Sequence, residues 1–352
     1  MFPNYFSSSP QPGRKAFMRQ QLPTKSARAG ALSAWMSLAL AAVITALVSP
    51  GAMARQPQLF NVANNVYALV GTGDTVTRDN RGRVANAGFI VGSSGVIVID
   101  TGVSCRHGKQ ILDAVREVTD LPVELVILTH AVREFVFGAA VFEEAGARIA
   151  AHSETRDLMK ARCARCLEHL VEELGTEMVG SRLVLPDMLL DNDRFISAGG
   201  VELEVLFYGW AATPGDVAVL HRETGTLFAG GLVSANHVPP IRDADFEGWQ
   251  KALHELLALP LQHVVPGFGP PSGKESIRAT AHYLQALDRR ARTLYEESAS
   301  LLEAIDQASI AEFADWQAYD PNHRRNALHR RLQLEIEDLG GDPRSTALPD
   351  GG

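Results

Sequence analysis

The stretch from Ala87 to Ile99 constrains the fold most. Ala87-Gly88-Phe89-Ile90-Val91 and Gly95-Val96-Ile97-Val98-Ile99 are two apolar runs separated by Gly92-Ser93-Ser94. Short β-branched runs around a Gly/Ser turn predict a hairpin. Strand runs with interspersed helices suggest sheets with helices outside them. The residues after Ile99 suit such an arrangement. Asp100-Thr101-Gly102 ends the second run, Lys109 to Thr119 has helical periodicity, and Val123 to Leu128 reads as a buried strand.

The rest of the chain continues in this manner. Asn65 to Val70 reads as a strand that ends at Gly71-Thr72-Gly73, and Ala147 to Ala151 reads as another. Helix is expected over Glu154 to Gly175 and strand over Arg182 to Pro186. Val201 to Tyr208, Val217 to His221 and Thr226 to Ala229 read as strands, Trp249 to Leu259 as helix, and Val264-Val265 as a short strand. From Glu275 to Leu339 the chain is mostly helical and charged, with a break near Tyr319-Asp320-Pro321. Two strand-rich halves interspersed with helices predict an α/β fold, an αββα sandwich, with a helical C-terminal segment. The expected organisation is an address over 1–54, a sandwich domain over 55–274, the helical segment over 275–339 and a disordered tail over 340–352. No internal repeat and no Gly-rich phosphate loop occurs.

The address is read from order and charge. Arg14, Lys15, Arg19, Lys25 and Arg28 precede the uncharged apolar run Ala31 to Val48, which leads to Ala52-Met53-Ala54. A basic region, an apolar region and an A-x-A site in that order predict a signal peptide cleaved before Arg55. The body is then periplasmic or secreted and keeps no membrane span. Export by the general or the twin-arginine route stays open, as does a start at Met18. Net charge is −8, but without the five basic residues of 1–54 the chain holds 28 Lys and Arg against 41 Asp and Glu, a balance of −13. A body this acidic is not expected to bind nucleic acid.

Four blocks in order give the sequence a family resemblance: Gly88 to Gly92 with Val98 to Gly102; Leu128-Thr129-His130 to Gly138; Ala212-Thr213-Pro214-Gly215-Asp216 to Gly230; and Val264 to Pro270. Together these resemble the metallo-β-lactamase-fold proteins, within them the quinoprotein relay system zinc metallohydrolase group. The stretch from Tyr319 to Leu334, with Asn326, resembles that group's C-terminal helical segment.

The resemblance implies two adjacent zinc sites, built from a T-H-x-H-x-D-H loop, a later His, a bridging Asp and a final His. Zinc held this way turns bound water into hydroxide near neutral pH. Of these positions the sequence keeps only His130. Val132, Glu134 and Phe135 stand at the other loop positions, Ala212 at the later His, Gly231 at the bridging Asp and Phe268 at the final His. His130 and Glu134 are two donors where an open zinc site has three protein ligands. The expectation is a degenerate site with no cofactor, whose pocket is lined by Val132, Phe135, Ala212, Gly231 and Phe268.

Three functions are compatible with these residues. The first is an inactive relative of the zinc metallohydrolases that binds an unknown small molecule or a periplasmic protein. The second is a hydrolase that takes zinc at a non-standard site using His130, Glu134 and outside residues such as His237. The third is an assembly factor acting through its C-terminal helices.

Other residues carry plainer expectations. His130 reads as a hydrogen-bonded strand-end residue, Glu134 as an acid/base or a partner of Arg133, and His152 and His237 as solvated loop residues. Asp100 and Asp216 read as loop anchors. Cys163 and Cys166 sit three apart on a predicted helix; a local disulfide is compatible with an oxidising compartment, although geometrically demanding inside a regular helix. Cys105 reads as a buried thiol.

Overall fold

A computed structural model describes residues 57–191 and 195–342. The address over 1–54 and most of the tail lie outside the described residues. Twelve described strands form two sheets. The first sheet holds β1 (Gln58–Ala63), β2 (Val66–Val70), β3 (Ala87–Val91), β4 (Val96–Ile99), β5 (Val123–Ile127), β6 (Arg148–Ala151) and β7 (Met188–Leu189), side by side in chain order. The second holds β8 (Phe195–Ala198), β9 (Val201–Phe207), β10 (Val217–His221), β11 (Thr226–Ser234) and β12 (His263–Phe268), also in chain order. Each sheet is antiparallel where hairpins join strands and turns parallel where helices cross over, at β4/β5 and at β11/β12.

The helices are α1 (Cys105–Val118), the single turns α2 (Arg133–Val136) and α3 (Ala139–Glu144), α4 (Ser153–Leu174), α5 (Phe246–Ala258), α6 (Lys274–Glu296), α7 (Leu301–Gln307) and α8 (Arg324–Asp338). Side chains on the central strands alternate between two cores, as the strand period requires. Ile97, Ile99, Leu125 and Ile127 meet Leu203, Val205, Val219 and Phe228 between the sheets. Val96, Val98 and Val126 point the other way and pack with Ile111, Val115, Phe142 and Leu170 of the outer helices. On the second sheet Ala218, Leu220 and Leu227 pack with Trp249, Leu253 and Leu284. The layers are therefore helix, sheet, sheet, helix.

The C-terminal helices are tied to the second layer by side chain to backbone bonds. Asn326 Nδ2 donates to Pro239 O at 2.8 Å, Asn322 Nδ2 to Val238 O at 2.9 Å and Gln333 Nε2 to Ala244 O at 3.1 Å. Asn326 also donates to the Tyr283 hydroxyl of α6.

Two expectations about elements fail. Arg182 to Pro186 forms no strand; pairing with β6 begins only at Met188, after the proline. Pro186 has no N–H to offer a ladder. Conversely, the strand at Thr226 runs on to Ser234 through Gly230-Gly231, where its register with β12 shifts. No helix of the described residues is long and apolar enough to cross a membrane.

Candidate functional site

The strand ends carry the site. Asp100 ends β4 with φ +61°, a backbone conformation in which Asp and Asn are several-fold enriched among non-Gly residues. Its buried carboxylate accepts from the Thr129 N–H at 2.9 Å and the Thr129 hydroxyl at 2.8 Å. The same hydroxyl lies 2.7 Å from His130 Nδ1. With Asp100 ionised, Thr129 donates to it and His130 Nδ1–H donates to Thr129, which leaves the lone pair on Nε2. Burial lowers the His130 pKa to about 3, so the ring is neutral at ordinary pH. An equivalent loop closes the second sheet, where Asp216 accepts from the Thr213 N–H at 2.6 Å and the Thr213 hydroxyl at 2.8 Å. Burial raises both carboxyls to about 7, against the lowering effect of these hydrogen bonds. Both aspartates are loop anchors.

From His130 a row of four rings runs across the strand ends. His130 lies 4.3 Å from Phe135 between ring centroids, and Phe135 meets Phe268 edge-on at 5.3 Å. Phe268 stacks on His237 at 4.4 Å with planes 7° apart. His130, Phe135 and His237 are almost fully buried, at 1 %, 0 % and 1 % exposure, and Phe268 is at 6 %. Aromatic pairs at these separations add about 0.5–1.5 kcal/mol each beyond burial.

The residues expected to line a pocket here are mostly buried. Phe135 and Phe268 pack into each other, Ala212 is buried, and only Val132 and Gly231 keep partial exposure. At Gly231 a Cβ would stand 2.8 Å from His130 Cδ2 and 2.9 Å from Nε2. The imidazole thus takes the room that a side chain at 231 would need. Two cavities lie elsewhere. One of about 620 Å³ opens among α5, α6 and α8, and one of about 450 Å³ lies at the hairpin turns around Ser93 and Gly200.

Other candidate residues are committed locally. Glu134 pairs with Arg133 at 3.0 Å, and Arg133 also reaches Glu173 at 3.1 Å. His152, expected to be solvated, is buried: it caps α4 by accepting from the Glu154 N–H and stacks on Phe207 at 3.8 Å. His237, also expected to be solvated, is buried against Phe268, and its Nε2 lies 3.2 Å from Asp74 O. Sequence offered no signal for either burial, because Phe207 and Phe268 are distant in the chain. Cys163 and Cys166 are not bridged, and Cys105 is half-buried rather than buried.

The fold and this strand-end geometry agree with a direct sequence match. A profile of the Metallo-beta-lactamase superfamily matches residues 80–267, just over half of the chain. The chain belongs to the metallo-β-lactamase superfamily. Solved structures agree on the fold. The chain is similar to a metallo-beta-lactamase from Pontibacter korlensis, with 22 % identity and TM-score 0.54 over 65 % of this chain and 99 % of that one. It is also similar to a metallo beta lactamase from Hirschia baltica, with 20 % identity and TM-score 0.53 over 65 % of this chain and 98 % of that one.

Metallo-β-lactamase folds usually carry zinc, and the residues of this site do not fit it. Phe135, Phe268, Val132 and Ala212 offer no donor atom. Asp100 and Asp216 are spent on Thr129 and Thr213, and Glu134 on Arg133. His130 keeps a lone pair on Nε2, and His237, whose Nε2–H donates to Asp74 O, keeps one on Nδ1. Among the described residues no three of His, Cys, Asp or Glu come together as a set that could hold a metal ion, whereas zinc sites have three or four protein ligands.

Proposed function

We propose that this protein is a non-catalytic member of the metallo-β-lactamase superfamily, exported to the periplasm, that binds a small molecule or a partner protein. The observation that carries the reading is the position of His130 against Gly231. The one family ligand kept in the loop, His130, fills the space that a side chain at 231 would need, and a buried ring row adjoins it.

Export rests on the basic, apolar and Ala-Met-Ala order of residues 14–54. A role in periplasmic quinoprotein metabolism rests on the resemblance of the four sequence blocks and the C-terminal helices. Ligand binding is supported by the cavity of about 620 Å³, a volume typical of small-molecule sites. It lies in the helical layer, away from His130.

The test is an ester and β-lactam hydrolysis assay on the purified protein and on His130→Ala, with zinc supplied. The reading predicts rates at the uncatalysed background for both. Turnover by the wild type that His130→Ala abolishes would overturn it in favour of a hydrolase with a non-standard site.

A further inference from the structure

The chain has three cysteines, and two of them meet. Cys163 and Cys166 stand one turn apart near the middle of α4, and neither is in a disulfide. Their burial differs. Cys163 is 1 % exposed and belongs to the core under the outer helices, whereas Cys166 is half-buried and packs on the edge of that core. The two thiols hydrogen-bond to each other; that bond first, and burial second, push the Cys163 thiol up. Cys163 therefore keeps its proton, and Cys166 presents the sulfur that solvent reaches. The third cysteine, Cys105, starts α1, and burial followed by the Glu144 charge pushes its thiol up.

Helix geometry decides what this pair can form. Residues three apart in an α-helix have Cα atoms about 5 Å apart, from the rise and radius of the helix. That lies inside the roughly 4.4–6.8 Å spanned by disulfides. Their Cβ atoms are about 5–6 Å apart, and a disulfide needs about 3.5–4.5 Å. The backbone spacing is thus already suitable, and one turn of α4 must tighten to close the bond. A disulfide strained in this way is more readily reduced than a structural one.

We propose that Cys163 and Cys166 are a reversible redox dithiol, in which Cys166 attacks and Cys163 resolves. The oxidant is a disulfide of low molecular weight. Cys166 loses its proton and its thiolate attacks one sulfur of the oxidant; a mixed disulfide forms as the oxidant's S–S bond breaks and releases the first thiolate. Cys163 then loses its proton and attacks Cys166 Sγ, which forms the Cys163–Cys166 bond and releases the second thiolate. The pair gives up two electrons and two protons, and the oxidant takes them as two thiols. Accessibility sets the roles: an incoming disulfide reaches half-buried Cys166, and only a neighbour already in contact, Cys163, reaches the mixed disulfide from inside the core.

The test uses the purified, folded protein, first reduced, then freed of reductant and incubated with glutathione disulfide near neutral pH. After an acid quench, thiols are alkylated in denaturant and read by intact mass and peptide mapping. The wild type should lose about 2 Da, the two thiol hydrogens, leaving Cys105 as the alkylated thiol. Excess reduced glutathione should return all three thiols. Cys163→Ala should stop at a glutathione adduct on Cys166, and Cys166→Ala should leave Cys163 unmodified. The wild-type result decides the bond even where a variant unfolds. Three alkylated thiols after oxidation of the wild type, a bond to Cys105, or a bond that excess glutathione fails to reduce would overturn the proposal. An adduct on Cys163 in folded Cys166→Ala, with none on Cys166 in folded Cys163→Ala, would overturn the assigned roles.

Discussion

The imidazole of His130 and the bare Cα of Gly231 share one space: a Cβ on residue 231 would lie 2.9 Å from His130 Nε2. Real Cβ atoms do not approach so closely, and the ring cannot simply swing aside. Its Nδ1 is bonded to Thr129 Oγ1 at 2.7 Å and its face lies against Phe135. Glycine at 231 and the buried pose of His130 therefore depend on each other.

Gly231→Asp should consequently destabilise the fold by about 1–3 kcal/mol, the range for overpacking, and should not create a zinc site. The same substitution in a His130→Ala background should cost much less. A double-mutant cycle by urea unfolding measures the coupling, which this geometry puts at about 1 kcal/mol or more. Additive effects would show that the two residues do not compete for the space.

Phe135→His restores a donor by residue type, yet it should behave as a core lesion. Phe135 is fully buried between His130 and Phe268. Replacing it removes ring contacts and buries an imidazole without a partner, at a cost of about 2–4 kcal/mol. Thermal unfolding with and without zinc checks this; zinc should not recover the lost melting temperature.

Glu134→Gln should do little. Its carboxylate faces Arg133, a side chain that is one-third exposed and has Glu173 as a second partner. Such pairs contribute about 0–1 kcal/mol. A loss of more than about 2 kcal/mol in urea unfolding, beyond that range, would show that Glu134 has a further role.

The buried carboxyl of Asp216 makes a signed pH prediction. Desolvation raises it from 3.8 in the unfolded chain to about 7 in the fold, despite the Thr213 bonds. The folded state therefore holds the proton more tightly. That contribution is fully present below about pH 3.8 and is lost as pH rises through about 7. Asp216→Asn should remove this slope, gaining stability relative to wild type between pH 4 and 7. Buried His107 acts in the opposite sense. Its pKa falls to about 3, chiefly by desolvation and then by the Arg83 charge. Its contribution is present above 6.5 and is lost as pH falls toward 3, so His107→Gln should flatten the acid side. Urea unfolding midpoints across pH 4–8 separate the two.

These contrasts show what was legible in the chain. The hairpin of β3 and β4 announces itself because both faces are apolar and a Gly-Ser-Ser turn divides it. The β8 strand gives no such signal, because it is short and lies at an edge, where one face meets water and the apolar pattern breaks down. Arg182 to Pro186 has the apolar residues of a strand but, at its end, a proline that cannot donate. At the site, the loss of donor atoms at Phe135, Ala212, Gly231 and Phe268 could be read residue by residue. The burial of Phe135 and Phe268 could not, because it depends on where the His130 ring turns and on Phe268 meeting His237 across 31 residues of chain. Burial of His152 and His237 was hidden for the same reason: each lies against a phenylalanine that only tertiary structure brings near.

Zinc content is the most direct measure of the central claim. The protein, purified, exposed to excess zinc and dialysed, should retain well below one zinc per chain by elemental analysis, and His130→Ala should not differ. One or two zinc ions held per chain, and lost in His130→Ala, would contradict the closed site that His130 and Gly231 define.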